Sequence, residues 1–159
     1  MNLYLIRHEK AEEHAKTFKD FDRNLTPEGI KRLKNSIKFW KNFLKIDIII
    51  SSPYLRALQT AQIIAEDFEL SLEIHKDLGC GTNSQKVLNL LDNYSDFENI
   101  ALVGHEPDIS NIISDLTANS QLNIEIKKGS LTKISFFNQP RIGNGILEYS
   151  FPPSIFNKK

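Results

Sequence analysis

Three short apolar runs punctuate the chain, and each leads into arginine or histidine. Leu3-Tyr4-Leu5-Ile6 meets Arg7-His8. Ile46-Asp47-Ile48-Ile49-Ile50 meets the turn Ser51-Ser52-Pro53, with Arg56 just beyond. Ile100-Ala101-Leu102-Val103-Gly104 meets His105. Apolar runs of this length, bounded by turn signals, predict central strands of a parallel sheet, buried on both faces. Between them the hydrophobic period becomes helical. Ile30, Leu33, Ile37, Trp40 and Leu44 recur at helical spacing behind Thr26 as N-cap and Pro27 at the first helical position, so Trp40 belongs to the core face. A second helix is expected from Ser52-Pro53, with Leu58, Ala61, Ala65 and Phe68 on one face, followed by a strand over Leu70–Ile74. A short helix is expected from Asn83 or Ser84 through Leu91, and another from Pro107 with Ile109, Ile112, Ile113 and Leu116 inward. The polar segment Glu9–Asn24 reads as a loop or a short irregular helix.

The last forty residues change character. Leu131–Phe137 and Ile146–Phe151 partly alternate apolar and polar residues, which predicts an antiparallel hairpin or meander at the sheet edge. Alternation of strands and helices gives the α/β class. The expected architecture is a three-layer α/β/α sandwich, mostly parallel in its central sheet with an antiparallel C-terminal edge, in a single domain over residues 1–159.

Composition narrows the partners. Twenty basic and twenty acidic residues cancel, so no global field favours nucleic acid. The clusters Lys31-Arg32-Lys34, Lys127-Lys128 and Lys158-Lys159 are short and read as solvated faces. Cys80 is the single cysteine, which rules out an internal disulfide and favours a reducing compartment. The N-terminal apolar run is too short for a signal peptide, and no stretch approaches the roughly 20 apolar residues of a membrane span. A cytoplasmic protein without membrane contact is expected.

Ligands of open α/β sheets bind at the carboxyl ends of the strands. Three strands would therefore deliver Arg7, His8, Arg56 and His105 to one edge. Phosphoryl transfer needs an in-line nucleophile and charge clamps on the equatorial oxygens. A neutral imidazole is a competent nucleophile if one ring nitrogen attacks while the other holds its proton in a hydrogen bond. His8 lies on a turn, where backbone carbonyls are available. Arg7 and Arg56 offer guanidinium forks to phosphate oxygens. His105 leads into a helix, whose N-terminus adds partial positive charge.

The segments Leu5-Ile6-Arg7-His8, Leu25-Thr26-Pro27-Glu28-Gly29, Ser51-Ser52-Pro53-Tyr54-Leu55-Arg56-Ala57-Leu58-Gln59-Thr60-Ala61 and Leu102-Val103-Gly104-His105-Glu106-Pro107 resemble the histidine phosphatase (phosphoglycerate mutase-like) superfamily. Their order, their spacing and the short chain look most like the SixA-type phosphohistidine phosphatases. The resemblance implies His8 as the nucleophile that is transiently phosphorylated. Arg7, Arg56 and His105 would bind the phosphoryl group, and water would release phosphate. No metal or organic cofactor is implied. The implied partner is a phosphohistidine-bearing protein, such as a phosphotransfer domain, or a small phosphorylated substrate.

Two departures shape the expectation. The superfamily usually reads Arg-His-Gly, and here Glu9 follows His8. That carboxylate must point away or be paired, with Lys10 as one candidate, and its plainest reading is a solvent-facing loop residue. Many members also carry an acid in the segment after the third strand. In Lys76–Ser84 the only carboxylate is Asp77, early in the segment. An alkoxide leaving group gains roughly 10²–10⁴-fold from protonation, whereas an imidazole with a protonated remote nitrogen leaves neutral. A site without an acid therefore favours phosphohistidine over esters. Short loops at Glu9–Asn24 and Gly79–Ser95 suggest an open site. The alternatives are a small-molecule or phosphoester phosphatase of the same superfamily, and a non-catalytic phosphoprotein-binding module motivated by Glu9.

Other chemistry is weaker. Cys80 has Lys86 six positions on, where a cysteine phosphatase needs arginine. His8 and His105 lack a third metal ligand at a convincing spacing. His14 and His75 read as surface or loop residues, and Arg23 is expected to pair with Asp20 or Asp22.

Overall fold

The computed structural model describes residues 1–13, 19–118 and 120–157. His14 and the pair Lys158-Lys159 lie outside them. Six strands form one sheet in the order β3-β2-β4-β1-β5-β6. They are β1 (Asn2–Arg7), β2 (Ile48–Ser51), β3 (Leu72–Ile74), β4 (Asn99–Gly104), β5 (Leu131–Ser135) and β6 (Ile146–Phe151). β1, β2, β3 and β4 are parallel, and β5 runs against both β1 and β6. The expected hairpin edge is therefore present, with a register shift between Lys133 and Ile134.

The helices are α1 (Pro27–Trp40), α2 (Leu55–Phe68), α3 (Ser84–Asp92) and α4 (Asp108–Thr117). Successive strand residues point to opposite faces, and each face has its own core. Leu3, Leu5, Ile100 and Leu102 pack with Val87 and Leu91 of α3 and Ile109, Ile112 and Ile113 of α4. Tyr4, Ile6, Ala101 and Val103 pack with Leu33, Ile37 and Trp40 of α1 and Ala57, Ala61 and Ile64 of α2. This is the three-layer α/β/α arrangement, and it explains why the central runs lack polar alternation.

Local signals set most boundaries. The Thr26 hydroxyl accepts from the Gly29 N–H at 3.1 Å, capping α1 as expected. The Asn83 side chain accepts from the Lys86 N–H at 3.0 Å, capping α3. Gly29 is required by a close approach: a Cβ there would stand 2.4 Å from the Lys10 carbonyl oxygen. The start of α1 is thereby pressed against the backbone just beyond His8.

The second helix differs from expectation in two ways. It begins at Leu55, because Ser52 still pairs with β4 through its N–H to the Val103 carbonyl (3.0 Å), and its hydroxyl is engaged elsewhere. Its inward face carries Ala57, Ala61, Ile64 and Ala65, while Leu58 and Phe68 are only half-buried. The small alanines, not the larger Leu58, set the line of closest approach to the sheet. The first helix ends at Trp40, and a turn carries Leu44 back into the core. No helix of the described residues is long and apolar enough to cross a membrane.

Candidate active site

Strand register brings the predicted residues level. Arg7 at the end of β1 is paired with Gly104 at the end of β4, and Ser51 at the end of β2 with Val103. The chain leaves all three strands at one edge. There the His8 N–H donates to the Gly104 carbonyl at 3.0 Å, which ties the β1 turn to the β4 turn. The His8 and His105 rings lie with centroids 5.3 Å apart. The Arg56 Nε–H donates to His8 Nε2 at 3.3 Å. All four predicted residues therefore gather at one place, although the route differs for Arg56, which projects from the first turn of α2.

The hydrogen bonds fix the tautomers. His8 Nδ1 lies 2.7 Å from the Glu9 carbonyl oxygen, so Nδ1 carries the proton and Nε2 keeps its lone pair. Burial, set against that hydrogen bond and reinforced by His105, Arg56 and Arg7, pushes the His8 pKa down to about 3. Burial, followed by the Arg56 charge, pushes His105 down to about 4. Both imidazoles are neutral near pH 7. The Tyr54 N–H donates to the Ser52 hydroxyl at 3.3 Å, and that hydroxyl lies 2.7 Å from His105 Nε2. With the Tyr54 N–H donating to it, the hydroxyl has His105 Nε2 as the acceptor for its own hydrogen, which puts the His105 proton on Nδ1; among the described residues neither that Nδ1 nor Arg7 Nε, both buried, has a partner. Two buried donors without partners, beside the lone pair of His8, suit a tetrahedral oxyanion, because buried donors of this kind are otherwise costly.

The arginines are held by the protein's own groups. The Arg56 Nη1 donates to the Asp20 carbonyl at 2.7 Å, and Nη2 lies 3.1 Å from the Asp20 carboxylate. Asp20 also accepts from Arg23 at 2.8 Å, so the expected Arg23 pairing is correct and carries a further consequence. The Arg7 Nη1 donates to the Ile126 carbonyl at 2.6 Å. The Tyr54 ring stacks edge-on against His105 at 5.0 Å, with the Arg56 guanidinium 5.0 Å from its centroid. The short loops do not leave these groups exposed: His8, Arg56 and His105 are at most 5% exposed.

The model of the histidine phosphatase superfamily (branch 1) matches residues 3–79. An uncharacterized protein of Picosynechococcus sp. is 32% identical over 113 residues, covering 69% of this chain and 68% of that protein. The chain belongs to the histidine phosphatase superfamily. A phosphohistidine phosphatase SixA homolog of Haemophilus influenzae is 28% identical over 128 residues, or 73% of this chain and 77% of the homolog. The structure of the protein histidine phosphatase SixA complexed with tungstate superimposes with a TM-score of 0.84 at 19% identity, over 99% of this chain and 100% of that one. That likeness shows the same phosphoglycerate mutase-like fold.

The environment of Glu9 corrects the solvent-facing reading. Glu9 is fully buried. Its carboxylate accepts from Arg32 Nε at 2.8 Å and Nη2 at 2.6 Å, a two-pronged pair, and from the Lys10 N–H at 2.7 Å. The Lys10 ammonium pairs instead with Glu28. Arg32 is thus not part of a solvated face. Gly129, at φ +78°, makes room: a Cβ there would stand 2.1 Å from Glu9 Oε1. The carboxylate points away from the imidazoles and adds no negative charge to their site.

Two further carboxyls escaped the sequence reading. Asp20 was expected only to pair with Arg23, yet it orients Arg56. Glu106 follows His105; burial raises its pKa against the pull of Ser110 and Arg7. Ser110 donates to one of its oxygens at 2.7 Å, and the other is buried and has no partner among the described residues. Its position beside a motif histidine was the only available signal. His75 is half-buried and accepts from the Asp77 N–H at 3.3 Å. Cys80 is exposed, with Sγ 3.5 Å from Arg56 Nη2.

Arg32→Met leaves the Glu9 carboxylate buried and uncompensated, and is expected to destabilise the fold by about 3 kcal/mol in chemical denaturation. The double variant Glu9→Gln, Arg32→Met should recover most of that loss, and failure to recover would show that Arg32 acts through packing alone. Both active-site imidazoles should give NMR signals that stay flat from pH 8 to pH 5. Their pKa values are lower in the folded protein, so the unfolded chain binds more protons below about 6.5. Stability is full above that pH and falls as the pH drops toward 4 and 3. A titration near 6.5 by His8 would sink the neutral-imidazole account.

Proposed function

We propose that this chain is a phosphatase that removes phosphate from phosphohistidine in proteins through a covalent intermediate on His8. The observation that carries this reading is the 2.7 Å bond from His8 Nδ1 to the Glu9 carbonyl, which leaves the lone pair on Nε2, where only the long 3.3 Å hydrogen bond from Arg56 Nε must yield to an incoming phosphoryl group. In the first step the Nε2 lone pair forms a bond to phosphorus as the bond to the substrate's imidazole nitrogen breaks. Arg7, Arg56 and the Nδ1–H of His105 hold the phosphoryl oxygens. His8 becomes cationic while phosphorylated, and the Glu9 carbonyl stabilises the Nδ1 proton. In the second step water attacks phosphorus, and His8 leaves as the neutral imidazole it was at the start. Neither departing imidazole needs an external acid, provided its remote nitrogen is protonated. A cytoplasmic phosphotransfer domain fits as the partner, and the chain functions as one domain in this reading.

The phosphoester alternative draws on one observation, the Glu106 carboxyl with its raised pKa near Arg7. A protonated carboxyl there could assist an alkoxide. Glu106→Gln should then slow ester hydrolysis by about 10²-fold while sparing phosphohistidine. Equal rates on esters by wild type and Glu106→Gln would remove that reading.

The main reading is tested by phosphate release from a phosphohistidine-bearing phosphotransfer protein. Wild type should release phosphate, and His8→Ala should release none above the uncatalysed rate. Activity retained in His8→Ala would eliminate His8 as the nucleophile. Binding of the phosphoprotein by wild type without release would favour a binding module.

A further inference from the structure

Arg7 faces two places at once. It belongs to the phosphoryl site, and it also lines a cleft of about 750 Å³ together with Lys10, Glu28, Arg32, Lys127 and Lys128. The cleft thus carries five cationic side chains and one carboxylate. Three of the cations are answered within the protein: Lys10 by Glu28, Arg32 by the buried Glu9, and Lys127 by Glu125. Among the described residues, no carboxylate lies within salt-bridge distance of Arg7 or Lys128. Burial, and then repulsion from Arg7, Arg23, Lys10 and Arg32, lowers the Lys128 pKa. An ammonium in such surroundings gains from an incoming anion.

The carboxylates on the Arg56 side of the phosphoryl site are already engaged. Asp20 lies against Arg56, and Asp108 accepts from the Gly81 N–H at 2.8 Å. A chain entering with its own carboxylates finds unanswered positive charge along the Arg7 side. The whole molecule carries no net charge, so this attraction is local and acts on what already sits near the site. The volume exceeds what a lone phosphate fills and matches a few residues of extended chain.

We propose that the cleft between Arg7 and Lys128 docks an acidic segment of the substrate protein, one that flanks its phosphorylated histidine. The proposal rests on the phosphohistidine reading for the identity of the partner, and on the charges of the cleft for its chemistry. Substrates are then selected by neighbouring glutamate or aspartate as well as by the phosphoryl group. Lys128 acts as a specificity determinant with no part in the chemical step.

The probe is a phosphate-free, glutamate-rich peptide, titrated by fluorescence anisotropy at low ionic strength. Wild type should bind it, Lys128→Gln should bind about fivefold more weakly and Lys128→Glu more weakly still, and added salt should erase the difference. Turnover is read as a ratio of kcat/KM for a phosphohistidine protein with an acidic flank to that for its Glu→Gln-flanked version. That ratio should be above one for wild type, expressed in KM, and should fall about fivefold or more toward one in Lys128→Glu. Equal peptide binding by wild type and Lys128→Glu, or no binding by either, overturns the docking proposal. Salt-sensitive binding lost in Lys128→Glu, with no phosphohistidine turnover by wild type, upholds the acidic cleft and overturns the phosphohistidine reading instead.

Discussion

The hydrogen bond from His8 Nδ1 to the Glu9 carbonyl sets the chemistry of the site, because it decides which ring nitrogen holds the lone pair. A carbonyl can play that role only if its peptide plane is fixed. Here the plane is held from several sides. The Lys10 N–H of that plane donates to the Glu9 carboxylate at 2.7 Å, and the peptide before it is held by the Glu9 N–H on the Thr60 hydroxyl at 3.2 Å and by the Gly129 N–H on the His8 carbonyl at 3.2 Å. The Glu9 side chain is clamped by Arg32, and the start of α1 leans on Lys10 at Gly29. The orientation of one imidazole therefore draws on α1, α2 and the turn before β5.

Burial supplies the second half of the mechanism. Two imidazoles close to two guanidiniums would be costly if protonated, and desolvation makes them more costly still. The protein keeps both neutral and leaves the positive charge on the arginines, which do not titrate in the physiological range. In the proposed reaction, charge for binding the phosphoryl group and basicity for attacking it thereby fall to different residues. Asp20 completes the division by holding the outer edge of Arg56 while its Nε stays turned toward His8. An arginine anchored this way loses little side-chain entropy when an anion arrives.

Much of this was legible in the sequence, for reasons of local physics. Strand ends were marked by apolar runs meeting polar residues, and α1 and α3 by capping residues whose side chains do cap. Parallel register then carries Arg7, Ser51 and Gly104 to one edge, so the quartet could be assembled without coordinates. Contacts between residues far apart in the chain were not legible. Nothing in Lys31-Arg32-Lys34 distinguishes the central residue, yet Arg32 reaches a carboxylate 23 positions away, because α1 turns that one side chain toward β1. Asp20 orients Arg56 across 36 positions. Of the expected α2 face, Ala61 and Ala65 are buried while Leu58 and Phe68 are half-buried, because close packing of helix on sheet favours the smaller Ala57 over Leu58.

Glu9 shows why a departure from a family pattern need not mean lost function. Glutamate at this place is a buried charge that demands a counterion and a cradle. Both are present: Arg32 gives the counterion, and Gly129, at positive φ with no Cβ, gives the cradle. The three residues form one unit spread over the first turn, the first helix and the approach to β5. Removing any one of them leaves a buried charge or a steric clash, so they are expected to be coupled energetically. The unit places a carboxylate beside the backbone of His8, the proposed nucleophile, with its charge paired to Arg32. That arrangement weakens the case for a non-catalytic module, since the feature that motivated it is directed away from the chemistry.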